Sequence, residues 1–165
     1  VHLLPHGREC MVHELATMLG ISSVDMQRVQ FPEDSSWVEL RDRWLMFREA
    51  KHDKDRLNAR LVFHGSSLAN CQSILAGGFD VSKAVRQNRA VEDERQCVHV
   101  ALNHYIAYKK SDDARGLLLC LLLGVDLGQS PEEDHYRRYF PQDGYEALAV
   151  YDANALLPLL LLSKT

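Results

Sequence analysis

The feature that most constrains the fold is a continuous apolar run from Leu117 to Val125, with turn signals on both sides. Such a run is typical of a strand buried on both faces, although its leucines also favour a helix. A second apolar run extends from Ala153 to Leu162. Both are far shorter than the roughly 20 residues that cross a bilayer, so they predict the core of a domain without membrane spans.

Length, composition and charge predict one intracellular domain. The chain has 165 residues, and a single domain usually has about 100 to 200. Apolar residues make up 46% and charged residues 25%, which argues against intrinsic disorder. The net charge of −4 argues against nucleic-acid binding, because duplex binders carry a basic surplus. Because no secretory signal pattern is present, we expect a cytoplasmic or nuclear protein.

The cysteines predict neither a disulfide framework nor a metal centre. Cys10, Cys71, Cys97 and Cys120 form no CxxC pair, and reduced thiols are typical of intracellular proteins. The nearest approach to a metal cluster is Cys97, His99 and His104, without a second pair at a zinc-site spacing. We therefore expect no metal. Because the chain begins at Val1 and ends after an apolar run, we expect a domain of a larger protein. We expect this domain to be monomeric.

Periodicity predicts helices mostly in the first half and strands mostly in the second. The expected helices are Met11–Leu19, a segment from Ser35 or Ser36 to about Lys51 with Trp37, Leu40, Trp44 and Phe47 on one face, a segment after Ser67, and Asn103–Lys110. The expected strands are Ile21–Gln30, Leu61–His64, Cys97–Ala101, Leu117–Val125, Ala147–Tyr151 and Pro158–Leu162. The expected loops are Lys51–Arg60, Asp80–Gln96 and Gln129–Gly144, the last containing the basic and aromatic His135–Tyr139. This order favours an α+β domain.

The most informative segment is Leu61 to Asp80, LVFHGSSLANCQSILAGGFD. A short strand ends in His64-Gly65 and a helix follows at once, with Leu68, Cys71, Ile74 and Leu75 on its inner stripe. A glycine lets the backbone approach a flat ligand, and the adjacent histidine can donate to a ribose hydroxyl. Composition alone favours the other interpretation, a tight strand-to-helix turn that the histidine merely caps.

This segment resembles the opening of the catalytic domain of the poly(ADP-ribose) polymerase (PARP) family, the diphtheria-toxin-like ADP-ribosyltransferases. The family pattern is a strand, His-Gly-Ser/Thr, a helix with Ile, and then Gly-Phe, and Gly78-Phe79 completes it here. Three further pieces resemble the family and lie in its order along the chain. One precedes this segment, Val29-Gln30 to Trp37, and two follow it, Leu117 to Gly128 and Tyr151-Asp152 with Pro158 to Leu162. An accidental match would leave a plain scaffold domain, but four ordered pieces favour the family.

The resemblance implies particular residues for the His-Tyr-Glu triad of the family. His64 matches the histidine that binds the adenine-side ribose, and Gly65 matches the glycine whose backbone binds the nicotinamide carboxamide. His99 stands where the family has tyrosine, and Cys97 replaces the preceding glycine. Counting back from Tyr151 places Ala147 at the catalytic glutamate. Glu146 is one residue earlier and would point to the opposite face of a strand.

A further family motif, Ser-x-x-Tyr, is similar to Tyr105-Ile106-Ala107-Tyr108 once two residues are deleted. In the family the serine binds the carboxamide and the tyrosine stacks on the nicotinamide ring. The resemblance thus implies that Tyr108 offers a stacking face and that Tyr105 fills part of the pocket.

The resemblance implies a PARP-type ADP-ribosyltransferase fold over residues 1–165, with two packed, mainly antiparallel sheets and a few flanking helices. Residues 1–60 are too few for the helical regulatory subdomain of the DNA-damage branch. The replacements at His99, Ala147 and Tyr105 favour a pseudoenzyme that binds NAD weakly or not at all and acts as a protein-interaction module. The alternative is an active mono-ADP-ribosyltransferase that uses NAD as substrate and borrows a carboxylate from its acceptor protein.

Overall fold

The computed structural model describes residues 29–51, 57–83, 96–102, 115–125, 132–133, 135–139 and 147–163, together with Thr17. Two α-helices are present in these ranges, α1 (Asp34–Ala50) and α2 (Leu68–Gly77), with short 3-10 turns at Val81–Lys83 and Ala153–Ala155. The strands are β1 (Val29–Gln30), β2 (Leu57–Ser67), β3 (Val98–Ala101), β4 (Arg115–Val125), β5 (Glu132–Glu133), β6 (Tyr136–Tyr139), β7 (Ala147–Val150) and β8 (Leu156–Ser163). The helices expected at Met11–Leu19 and Asn103–Lys110 lie outside these described ranges.

The eight strands form one hydrogen-bonded sheet in the order β1-β8-β4-β2-β3-β7-β6-β5. Every neighbouring pair is antiparallel. The expected α+β class with antiparallel strands is confirmed. The expectation of two sheets needs a correction, because β2 and β3 join the strands into one sheet. We call β1, β8, β4 and β2 the long half of the sheet, and β3, β7, β6 and β5 the short half.

The sheet folds back on itself, so that its two halves pack face to face. His135 directly precedes β6, and its Nε2–H donates to the Leu123 carbonyl oxygen of β4 at 2.5 Å. In a flat sheet the four strand spacings between β4 and β6 would separate them by about 19 Å. A contact this short therefore requires a strong bend between the two strands. The bend turns a single sheet into two layers.

The two halves share a continuous apolar core, here called the central core. The long half contributes Val62, Leu118, Cys120, Leu122, Leu156 and Leu161, and the short half contributes Val98, Val100, Tyr136, Leu148 and Val150. Helix α2 adds Cys71 and Leu75 from its buried side. Burial of this apolar surface is the main term that holds the two layers together.

Helix α1 covers the other face of the long half. Trp37, Leu40 and Trp44 are buried and pack on Leu119, Leu123, Leu157 and Leu160. The Trp44 indole Nε1–H donates to the Ala155 carbonyl oxygen at 3.0 Å, which fixes the helix against the turn before β8. The expected helix and its apolar face are confirmed, but the N-cap is Glu33 rather than Ser35 or Ser36. Among the described helices, none is long and apolar enough to cross a membrane.

Two segments expected to be loops contain strands. Leu57–Arg60 belongs to β2, because β4 is long enough to pair with β2 along its whole length, from Leu57 opposite Val125 to Ser67 opposite Arg115. Within the expected loop Gln129–Gly144, β6 pairs with β7 on one side and with β5 on the other. Local polarity suggested loops in both places, but ladder hydrogen bonds with a neighbouring strand outweigh that preference. The ambiguous run at Leu117–Val125 is a strand in β4, not a helix.

Candidate functional site

The junction from β2 to α2 has the expected order of a strand and a helix, but Gly65–Ser67 continues the strand instead of forming the expected turn. The strand ends at Ser67 and the helix begins at the next residue, with the Ser67 hydroxyl accepting the Asn70 backbone N–H at 3.2 Å. At the other end of the helix, Gly78 adopts a φ of +87°, which favours glycine. A Cβ at this position would lie 2.8 Å from Leu40 Cδ2, so α1 also excludes a larger residue.

His64 bridges the two halves of the sheet where their backbone pairing stops. In the described part of the chain, β2 and β3 share one pair, Phe63 opposite Ala101. At the next residue the connection is made by the His64 side chain, whose Nδ1–H donates to the His99 carbonyl oxygen at 2.7 Å. The Phe79 ring packs edge-on against the imidazole, with ring centroids 5.3 Å apart. The His-Gly and Gly-Phe parts of the motif therefore meet in space.

The hydrogen bond of His64 fixes its chemical role. Burial lowers the pKa of His64, while the bond to the His99 carbonyl opposes that shift in part. The ring is therefore neutral near pH 7 and carries its proton on Nδ1, which leaves Nε2 as an acceptor. Among the described residues Nε2 has no hydrogen-bond partner. With this tautomer, Nε2 would accept a hydrogen bond from a ribose hydroxyl, whereas the sequence predicts that His64 donates one.

Gly65 is exposed and lies opposite Leu117 of β4. Extending the register of the Phe63–Ala101 pair by two residues places Gly65 next to His99. Because side chains alternate along a strand, Gly65 lies on the same face as Phe63, and His99 on the same face as Ala101. Gly65 and His99, both inferred from the resemblance, are therefore brought to one face of the sheet.

The position expected for a catalytic carboxylate is on that same face. His99 pairs with Ala149, and Ala101 pairs with Ala147, so Ala147 is a diagonal neighbour of His99. Ala147 is half-buried and Ala149 is fully buried. The described residues of β7 thus offer His99 two methyl groups and no acidic group. Glu146 lies outside the described residues.

Cys97 is a site residue whose role the sequence reasoning missed. Its Sγ lies 3.6 Å from the Nε2 atom of His99, a normal distance for a hydrogen bond to sulfur. The sequence indicates Cys97 as a replaced glycine, as a reduced thiol and as one member of an incomplete metal cluster. The i and i+2 spacing of Cys97 and His99 on an expected strand was the signal that could have revealed the pair, because such residues share a face.

Other residues singled out from the sequence lie outside the site or outside the described ranges. Tyr105, Tyr108 and His104 are not among the described residues. The described residues contain no group of three metal-ligating side chains. The Asp152 carboxylate accepts the Asn154 backbone N–H at 3.0 Å and so caps the turn before β8. His135 and Tyr136 are buried, which excludes base stacking by these two rings.

The assembled site combines hydrogen-bonding groups with an apolar strand. Gly65 offers exposed backbone, His64 offers an acceptor, and the His99 imidazole faces Cys97. Such groups can bind the polar edges of a ligand. The described part of the site lacks an acidic side chain that could stabilise positive charge. No protein-family model and no curated protein matches this chain.

Proposed function

We propose that this chain is a PARP-like ADP-ribosyltransferase-fold domain that has lost transferase activity and serves as a protein-interaction module. The proposal is supported by the strand–His-Gly–helix junction, the antiparallel sheet of two layers, and the order of the motif pieces along the chain. The observation that carries the loss of activity is the pair of alanines, Ala147 and Ala149, that β7 places beside His99.

Chemical reasoning explains why these alanines matter. Cleaving the bond between nicotinamide and ribose develops positive charge on the ribose ring, as in other glycosyl transfers. A carboxylate placed beside that ring stabilises the developing charge, and a methyl group does not. His99 cannot replace the carboxylate, since imidazole is either neutral or positively charged.

Weak NAD binding, or none, follows from the same residues. His64 uses its Nδ1–H within the protein, so one hydrogen-bond donor is not available to a ribose. His99 is shorter than the tyrosine of the family and lies against Cys97. The intact core keeps these strands folded although the acid is missing, as the proposed role in binding a protein partner requires.

A binding and turnover experiment tests the proposal. Calorimetry with NAD and with a benzamide that mimics nicotinamide is expected to show no heat at millimolar ligand, and labelled NAD is expected to release no nicotinamide. Gly65→Trp would block the site, and Asn58→Trp at the exposed far end of β2 is its matched control. Micromolar binding of NAD or the benzamide that Gly65→Trp abolishes and Asn58→Trp preserves would overturn the proposal that this chain binds NAD weakly or not at all.

A turnover assay separates the active alternative from mere binding. An active mono-ADP-ribosyltransferase would transfer labelled ADP-ribose to an acidic acceptor peptide. The peptide would supply the carboxylate that the enzyme lacks. Ala147→Glu would supply that carboxylate in cis, and Ala147→Gln has the same length without the charge. Transfer by the parent chain would establish the active alternative. Transfer that arises only in Ala147→Glu would support the loss of activity through this position.

A further inference from the structure

We propose that Cys97 and His99 form a thiol–imidazole pair whose sulfur reacts with small soft electrophiles. Hydrogen peroxide is the oxidant among them. The Sγ of Cys97 and the Nε2 of His99 are 3.6 Å apart. A nucleophile within hydrogen-bond reach of a base is the arrangement that activates thiols in proteins. The pair arises at two positions where this chain departs from the family it resembles, and it does not depend on NAD binding.

The strand geometry holds the pair together. Cys97 immediately precedes β3, and His99 is its second residue, so both side chains project to the same side. Ala149 and Ala147 of β7 and the neighbouring Tyr151 pack against Cys97. Small side chains on β7 leave the sulfur and the imidazole in contact.

Accessibility distinguishes Cys97 from the two other cysteines in the described ranges. Cys71 and Cys120 are completely buried, whereas 8% of Cys97 is accessible to solvent and His99 is half-buried. The Cys71 thiol donates to the Ser66 carbonyl oxygen, and burial raises the pKa of Cys71 to about 11. Burial also raises the pKa of Cys120. Cys97 is also buried, but it keeps a small exposed fraction that Cys71 and Cys120 lack. The proposal requires that small reagents reach Cys97 there, and the two fully buried thiols are internal controls.

The reaction balances without a further reactant. The Cys97 S–H proton passes to His99 Nε2, which gives a thiolate beside an imidazolium. The thiolate sulfur attacks one peroxide oxygen, the S–O bond forms and the O–O bond breaks. The leaving hydroxide takes the proton from His99 and departs as water. The products are a sulfenic acid at Cys97 and neutral His99, so the sulfur is oxidised and the peroxide is reduced.

The test measures the alkylation rate of each cysteine in the folded 165-residue chain. Limiting iodoacetamide at neutral pH, followed by peptide mass spectrometry, gives one rate per site. We expect Cys97 to react more than about tenfold faster than Cys71 or Cys120. Even an ordinary thiol is only about one-tenth thiolate near pH 7.5, and burial lowers the thiolate fraction of the two controls further. Peroxide followed by dimedone is expected to label Cys97 and to leave the two controls unlabelled.

His99→Gln tests the role of the base, because glutamine can form a hydrogen bond but cannot take the proton. We expect the Cys97 rate to fall about tenfold in this variant. An unchanged rate in folded His99→Gln would overturn the proposal, as would a parent Cys97 rate equal to that of Cys71. If His99→Gln unfolds, Cys71 and Cys120 become reactive and reveal it, and the parent ratio then decides alone.

Discussion

The two halves of the sheet bury their strands in different ways. In the long half, β4 and β8 are apolar on both faces, because one face meets the central core and the other meets α1. In the short half, β3 and β7 turn Val98, Val100, Leu148 and Val150 into the central core. Their other face carries His99, Ala147 and Ala149. Of these four strands, β3 and β7 therefore have a face outside the central core that carries an imidazole and small side chains.

This difference explains where chemistry is possible in the molecule. A residue packed on both sides is restricted to shapes that fill the core, so substitutions there are costly. The face of β3 and β7 opposite the core accepts an imidazole, a thiol and small side chains. Gly65, the missing acid and the Cys97–His99 pair lie on this face, next to the one backbone pair that joins the two halves among the described residues. His64 alternates with Gly65 along β2 and packs on Phe79 from the opposite face.

The largest effect is expected from removing leucine volume from the shared core. Leu118 of the long half and Leu148 of the short half are both fully buried. Leu118→Ala and Leu148→Ala should each lower the free energy of unfolding by about 2–5 kcal/mol. Urea unfolding followed by fluorescence measures this, with exposed Met46→Ala as the control. Loss of the short half alone in Leu148→Ala would show that the halves do not share one core.

A smaller effect is expected where β4 meets α2. A Cβ at Gly116 would lie 2.8 Å from both the Ser66 carbonyl oxygen and Cys71 Sγ. Gly116→Ala should therefore cost about 1–3 kcal/mol of unfolding free energy, because the backbone oxygen cannot move aside freely. Gly77→Ala is the matched control, since nothing lies within 4 Å of a Cβ there. Equal stability of the two variants would contradict this account.

The hydrogen bond that closes the bend is expected to contribute less. His135→Phe keeps a ring beside Phe47 and Tyr136 but removes the donor to Leu123. The loss should be about 1 kcal/mol of unfolding free energy, measured by thermal and urea melts. Hydrogen exchange should report faster opening of β6 than of β2. An increase in stability would show that the free-energy cost of burying the imidazole exceeds the stabilisation from its hydrogen bond.

The subtlest effect concerns pH at the junction of the halves. Burial holds the pKa of His64 below its ordinary value of 6.5, so the unfolded chain binds a proton more readily than the folded one. The contribution of His64 to the free energy of unfolding is complete above pH 6.5. It is lost as the pH falls from there through the folded-state pKa. His64→Gln, which can still donate to the His99 carbonyl, should have a flatter stability curve. If the free energy of unfolding depends on pH in the same way in the parent and the variant, the lowered pKa of His64 is contradicted.

Much of the local structure was predictable because neighbours in sequence determine it. The face of Trp37, Leu40 and Trp44 on α1 follows from helical periodicity, and the β2–α2 junction follows from Gly65-Ser66-Ser67. Strand β6 was missed because its polar residues Arg137 and Arg138 resemble a loop, and only the ladder with β7 makes it a strand. The first part of β2 was missed for the same reason.

The sequence by itself determined the apolar runs that become β4 and β8, the helix faces and the residue types at the candidate site. The tertiary structure alone decided that one sheet bends into two layers, that His64 donates to the carbonyl of a residue 35 positions away, and that Cys97 touches His99. Periodicity records which face of an element is apolar. Which elements meet, and in which register, depends on how all strands close around one core, and that cannot be read from any single segment.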